Sequence, residues 1–169
     1  MAAIVISDAS PLIGLAQVNG IDWLRELFGT LLLPATVADG VLTGRFTDQE
    51  ARITAAVEAG WLTITPDPAG GPALPDLDEG EAAGIRLALS RPGPVLLLID
   101  ERAGRAVAHE LGLKVAGTAA VIGLARLRGL IPSAREVFDA LHNSDFRIAP
   151  AVITTVLKRC GEIDDDSVS

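Results

Sequence analysis

The sequence predicts an α/β domain built on a mostly parallel central sheet. Three observations carry this expectation. Runs rich in Ile, Val and Leu at 3–6, 31–33 and 95–99 are apolar throughout rather than alternating, as strands buried on both faces are. Between them lie stretches with helical spacing of apolar residues, and strands that alternate with helices make an α/β domain. The length, 169 residues, suits one domain with a sizeable core. That domain is placed at residues 1–161, followed by an acidic, flexible tail at 162–169.

The opening strand, Ala3-Ile4-Val5-Ile6, runs through Ser7 to Asp8 and then to a helix over 10–17. Ser10 is a natural N-cap, and Pro11 suits the first helical position because its missing N–H would be unpaired there. Asp8 then sits in the turn at the carboxyl end of a buried strand, where open α/β sheets place their ligands. Asn19-Gly20 breaks the chain before a second helix over 21–28, which Gly29 ends. Residues 30–33 form the second buried strand, stopped by Pro34. A helix over 35–42, a break at Gly44-Arg45-Phe46, and a helix over 47–59 follow. Asp48 and Glu50 occupy the first turn of the latter, where the helix dipole favours them.

Residues 61–65 alternate and read as an edge strand. The Pro- and Gly-rich stretch 66–75 reads as a mobile surface loop. A helix over 78–90 leads to the strand at 95–99, which ends in Asp100 and so repeats the opening pattern of apolar run and aspartate. A helix over 101–111 is stopped by Gly112, and a short strand covers 114–116. Helices over 118–128, 133–141 and 150–159 complete the chain. The apolar run Val121-Ile122-Gly123-Leu124-Ala125 serves either the core or a subunit contact.

Composition narrows the function. The net charge is −8 and the isoelectric point about 4.7, which argues against a broad phosphate-binding surface. It does not exclude a nuclease whose site is itself acidic. Part of the excess lies in the tail Glu162-Ile163-Asp164-Asp165-Asp166, read as solvated. A single cysteine, Cys160, excludes an internal disulfide, and two histidines, His109 and His142, give no basis for a zinc site. Mean hydropathy is +0.39, yet no apolar run approaches the ~18 residues of a membrane span, and no basic n-region opens the chain. The expectation is a soluble cytoplasmic protein with no membrane partner.

Three acids stand out by position: Asp8, Glu81 and Asp100. Each also has a structural reading. Asp100 is placed to cap the helix after it, and Glu81 follows Asp78 at the spacing of a capping box. Asp8 is placed for an Asx-type turn. Together they bring two strand-end carboxylates and a helix-opening acid to one edge of a sheet. Crowded carboxylates repel, and a hard cation such as Mg²⁺ relieves that repulsion while assisting displacement at phosphorus. No glycine-rich nucleotide loop, Walker motif or nucleophile elbow competes with this reading.

Ile6-Ser7-Asp8-Ala9-Ser10-Pro11-Leu12-Ile13, then Leu77-Asp78-Glu79-Gly80-Glu81-Ala82, then Leu97-Leu98-Ile99-Asp100-Glu101-Arg102-Ala103-Gly104-Arg105 resemble PIN-domain proteins. The similarity continues through Val115-Ala116-Gly117-Thr118 and Arg128-Gly129-Leu130-Ile131-Pro132. The resemblance implies a parallel-sheet α/β/α fold and a Mg²⁺- or Mn²⁺-dependent ribonuclease. It also implies a homodimer with an antitoxin partner, as in VapC-like toxins of toxin–antitoxin pairs. By the same resemblance Asp8, Glu81 and Asp100 are the catalytic, metal-binding acids. Thr118 matches a hydroxyl near the metal, and Arg102 and Arg105 would meet RNA phosphates or form a solvated face. One departure stands out: where the family pattern has a glutamate six residues after Pro34, this chain has Gly40. The neighbouring Asp39 would serve only by reaching about 100° around its helix. Two readings result: a metal-dependent endoribonuclease toxin, or a weakened module that binds RNA or a protein without cleavage.

Overall fold

A computed structural model describes residues 4–45 and 47–164. Ala3, Phe46 and the tail residues Asp165 and Asp166 lie outside the described residues. The elements are β1 (Ile4–Ser7), α1 (Ala9–Gln17), α2 (Ile21–Phe28), β2 (Leu31–Pro34), α3 (Ala35–Val41), α4 (Asp48–Glu58) and β3 (Leu62–Thr65). There follow α5 (Glu79–Ser90), β4 (Val95–Leu98), α6 (Arg102–Glu110), β5 (Lys114–Ala116), α7 (Thr118–Leu127), α8 (Ala134–His142) and α9 (Pro150–Arg159).

The five strands form one all-parallel sheet in the order β3-β2-β1-β4-β5. The apolar runs put alternate side chains on opposite faces, and each face has its own core. Val5, Leu31, Leu33 and Leu98 pack with residues of α1, α2, α7, α8 and α9. Ile6, Val95, Leu97 and Ile99 pack with Ile85, Leu87 and Ala88 of α5 and Ala108 of α6. The result is the three-layer α/β/α arrangement, with β3 at an edge as its alternation indicates. From the central strand β1 the chain builds outward to β2 and β3, then returns to the other side for β4 and β5. The strand order reverses between β1 and β4, which makes their carboxyl ends the switch point where open α/β sheets form a crevice.

Three local readings are corrected, and a fourth, left open between two alternatives, is narrowed. Helix α1 begins at Ala9, so Asp8, not Ser10, occupies the N-cap position, and it makes no side-chain cap bond. Pro11 then falls third in the helix, still within the first turn whose N–H groups have no intrahelical acceptor. The 66–75 loop is tied down: Asp67 accepts from the backbone N–H and the hydroxyl of Thr36, and Arg86 Nε donates to the Pro72 carbonyl at 3.0 Å. In the 121–125 run Val121, Ile122 and Ala125 are wholly buried within the chain's own core, while Leu124 is exposed. Glu162, expected in a solvated tail, instead closes the amino end of α8. Its carboxylate accepts from Ser133 Oγ at 3.1 Å, from the Ala134 N–H and from the Arg135 N–H at 3.2 Å, with Arg126 Nε at 3.6 Å. Burial alone would raise the pKa of Glu162; these hydrogen bonds outweigh it and lower it.

Candidate functional site

The site grows from the register of two neighbouring strands. Ser7 of β1 pairs with Leu98 of β4, and the ladder continues one step beyond, with the Asp8 N–H donating to the Leu98 carbonyl at 2.9 Å. On the other side of β4, the Ile99 N–H donates to the Ala116 carbonyl at 2.9 Å. These bonds fix the backbone from which Asp8 and Asp100 leave the sheet. Ser7 Oγ donates to the Asp8 carbonyl at 2.9 Å, and the Asp8 carboxylate makes no side-chain cap bond to α1.

Asp100 does not cap α6, whose N-cap position is Glu101. It clasps α7 instead. The Thr118 N–H donates to Asp100 Oδ1 and the Thr118 hydroxyl to Oδ2, both at 2.7 Å. Thr118 is fully buried, with its N–H and its hydroxyl both committed to Asp100. Gly117 permits the approach: a Cβ there would stand 2.7 Å from Asp100 Oδ1 and 2.8 Å from Arg105 Nη1. The carboxylate and the guanidinium thus flank the same point of backbone.

Glu81 enters from α5. Asp78 caps that helix, accepting from the Glu81 N–H at 2.8 Å, so the capping-box reading holds for Asp78. The Glu81 side chain has a different destination. Its Oε2 lies 3.4 Å from the position a Cβ on Gly104 of α6 would take, while a Cβ on Gly80 would lie 3.5 Å from Asp8 Oδ1, Asp78 Oδ1 and Val37 Cγ2 alike. The amino end of α5 is therefore laid over the carboxyl end of β1, with α3 beside it.

The three acids singled out by sequence share one electrostatic field. Burial, reinforced by the charges of Asp78, Asp100 and Glu101, pushes Asp8 up to about 6 against the lowering effect of the Ala9 N–H. Burial also pushes Glu81 up to about 7, followed by the charge of Asp78, a side-chain hydrogen bond with it, and the charges of Asp8 and Glu101. Asp78 and Glu101 belong to this group. Sequence spacing marks both as helix openers, and nothing in it reveals that they face the other three. Asp39 and Gly40 are exposed on α3. Space around Gly40 is open, with no atom within 4 Å of where its Cβ would be.

Among the described residues, no three His, Cys, Asp or Glu side chains stand as a ready-made metal cage. The donor set is nonetheless one that a hard cation uses. Mg²⁺ keeps several waters and takes one or two carboxylates rather than a full protein cage. The like charges that raise Asp8 and Glu81 would be relieved by it. No helix among the described residues is long and apolar enough to cross a membrane.

A family model described as a PIN domain matches residues 4–162, covering every element of the fold. No curated protein matches the chain.

Proposed function

Because the chain belongs to the PIN-domain family, whose members are in general nucleases, we propose that it is a divalent-metal-dependent endoribonuclease, the toxin of a toxin–antitoxin pair, working as a homodimer. The observation that carries this reading is the pair of buried carboxyl groups, Asp8 and Glu81, raised by burial and like charge at the β1/β4 crevice. Structural caps do not call for such crowding. Asp8, Glu81 and Asp100 would hold Mg²⁺ or Mn²⁺, directly or through water. The cation when bound would supply Lewis acidity and offset the charge that develops on a phosphodiester under attack.

The chain's own groups do the rest. Thr118 holds Asp100 by both of its oxygens, a pre-organisation that leaves nothing to reorder at the moment of reaction. Arg105, beside Asp100 above Gly117, presents a cation to a phosphate oxygen, and Arg102 stands one helical turn away. Burial of Asp8 and Glu81 keeps bulk water from screening these interactions.

The open position at Gly40 favours a second reading, a module that binds RNA or a partner without cutting. One assay separates the two: labelled single-stranded RNA incubated with purified protein and Mg²⁺ or Mn²⁺, with a chelator, and with Asp8→Asn. The nuclease reading expects cleavage that requires the cation and is lost in Asp8→Asn. Cleavage that persists in chelator, or is unchanged in Asp8→Asn, contradicts it. Binding without any cleavage favours the second reading.

A further inference from the structure

Helix α3, which stands beside the acidic site, has little of its own to hold it. It is seven residues long, well short of the length at which a helix sustains itself in water. Thr36, Val37, Asp39, Gly40 and Val41 all have low helix propensity. Its N-cap position is Pro34, which makes no side-chain cap bond. Val37, Ala38 and Val41 bury one face, but a buried face leaves the end groups of a helix unpaired.

Both ends are closed by carboxylates from other elements. The β2/β3 ladder ends with Pro34 opposite Thr65, so the residues two positions further along each chain, Thr36 and Asp67, meet at the same edge. The Asp67 carboxylate accepts from the Thr36 N–H at 3.3 Å and from the Thr36 hydroxyl. The first of these is the bond an N-cap side chain would make. Just past the carboxyl end of α3, the buried Glu50 of α4 accepts from the N–H and hydroxyl of Thr43 and from the Gly44 N–H. Asp67 belongs to the β3–α5 connection, which Arg86 ties through the Pro72 carbonyl and which Leu74 and Leu77 seat against the core. A cavity of about 380 Å³ lies between this connection, Thr36 and α5. At the amino end of α3 the polar tie therefore stands where packing is incomplete.

The placement of α3 matters for what it carries. Val37 Cγ2 and Asp8 Oδ1 both stand 3.5 Å from the position a Cβ on Gly80 would take, so Val37 forms part of the wall beside the Asp8 carboxylate. We propose that Asp67 is a positioning residue for the acidic site: by capping α3 from the β3–α5 connection, it holds Val37 against the amino end of α5 and fixes that wall. The role needs a hydrogen-bond partner, not a charge. Asn caps helices as well as Asp does, since its amide can accept from the Thr36 N–H and donate to the hydroxyl. The inference rests on the nuclease reading only for its effect on cleavage.

The test compares Asp67→Ala and Asp67→Asn in the full chain, with Asp76→Ala, an exposed acid of the same connection, as the control for lost negative charge. Two readouts are taken: amide hydrogen exchange, and the kinetics of Mn²⁺-dependent cleavage of a labelled single-stranded RNA. In Asp67→Ala, protection should fall by about 5-fold at Thr36 and along Asp39 to Val41, the effect of one lost cap on a local opening equilibrium. As the wall opens, protection should also fall at the Asp8 and Glu81 N–H groups, which are bonded to Leu98 and Asp78. The kcat should fall by about 10-fold while KM moves by less than about 2-fold, because misplaced groups cost the chemical step and not the capture of the strand. Asp67→Asn should restore both readouts, and Asp76→Ala should change neither. Lost protection confined to α3, with Asp8 and Glu81 unchanged, would make Asp67 a cap only and overturn the inference. An Asp67→Asn variant as impaired as Asp67→Ala, or an unaltered kcat in Asp67→Ala, would overturn it too. If wild type cleaves no RNA, the nuclease reading fails by itself, and the exchange pattern still decides the positioning role.

Discussion

At the scale of single residues, Asp8 sits in an environment that a structural role does not explain. It stands at a helix N-cap position without a side-chain cap bond, and it is 6% exposed with its pKa pushed up to about 6. Native Asp8 therefore holds its proton to higher pH than it does in the unfolded chain. The energetic consequence has a definite sign. Between the ordinary aspartate value of 3.8 and about 6 the native state binds more protons than the unfolded one, so stability falls as pH rises through that window. Asp8→Asn should accordingly raise the melting temperature of cation-free protein at pH 8, by an amount on the order of 2 kcal/mol in stability, while abolishing cleavage. A second residue-scale expectation concerns Gly117. Its replacement by Ala would drive a methyl group against Asp100 Oδ1 and Arg105 Nη1. RNA cleavage should fall by about 10-fold or more, as oriented charge is lost from the site, with an unchanged circular dichroism spectrum as the control.

At the scale of elements, most boundaries are readable from the sequence, because apolar runs, Gly stops and Thr47, Asp78 and Ser133 caps all act locally. The start of α1 is not. Ser10 and Asp8 are both good capping residues two positions apart, and tertiary ladder bonds to β4 decide between them. The acids Asp8, Glu81 and Asp100 are legible as strand-end and helix-opening residues. That Asp78 and Glu101 share their field is not, since it depends on how α5 and α6 lie over β1. The role of Glu162 is hidden for the same reason: the donors it accepts from, on Ser133 to Arg135, are close in space but distant in sequence. Glu162→Ala should remove this closure of α8 and cost about 1–2 kcal/mol, read as a lower melting temperature. On α3, Gly40 follows Val37 by three residues, and Val37 touches the amino end of α5 beside Asp8. Gly40→Glu would therefore send a carboxylate from the same face of α3 into open space next to the site. Calorimetric titration should find tighter Mn²⁺ binding in this variant than in wild type.

At the scale of the whole molecule, a parallel sheet with its strand order reversing at β1/β4 gathers charges that the sequence scatters over more than ninety residues, from Asp8 to Asp100. The sheet topology thus concentrates negative charge at one crevice, and that field is the property most directly open to measurement. Thermal melts at pH 8, with and without saturating Mn²⁺, should be compared for wild type and Asp8→Asn. If the buried acids form a cation site, Mn²⁺ at about 100 times its dissociation constant raises the wild-type melting temperature by roughly 5 °C or more and the variant's far less. An equal shift in both proteins, or none in wild type, would contradict the account.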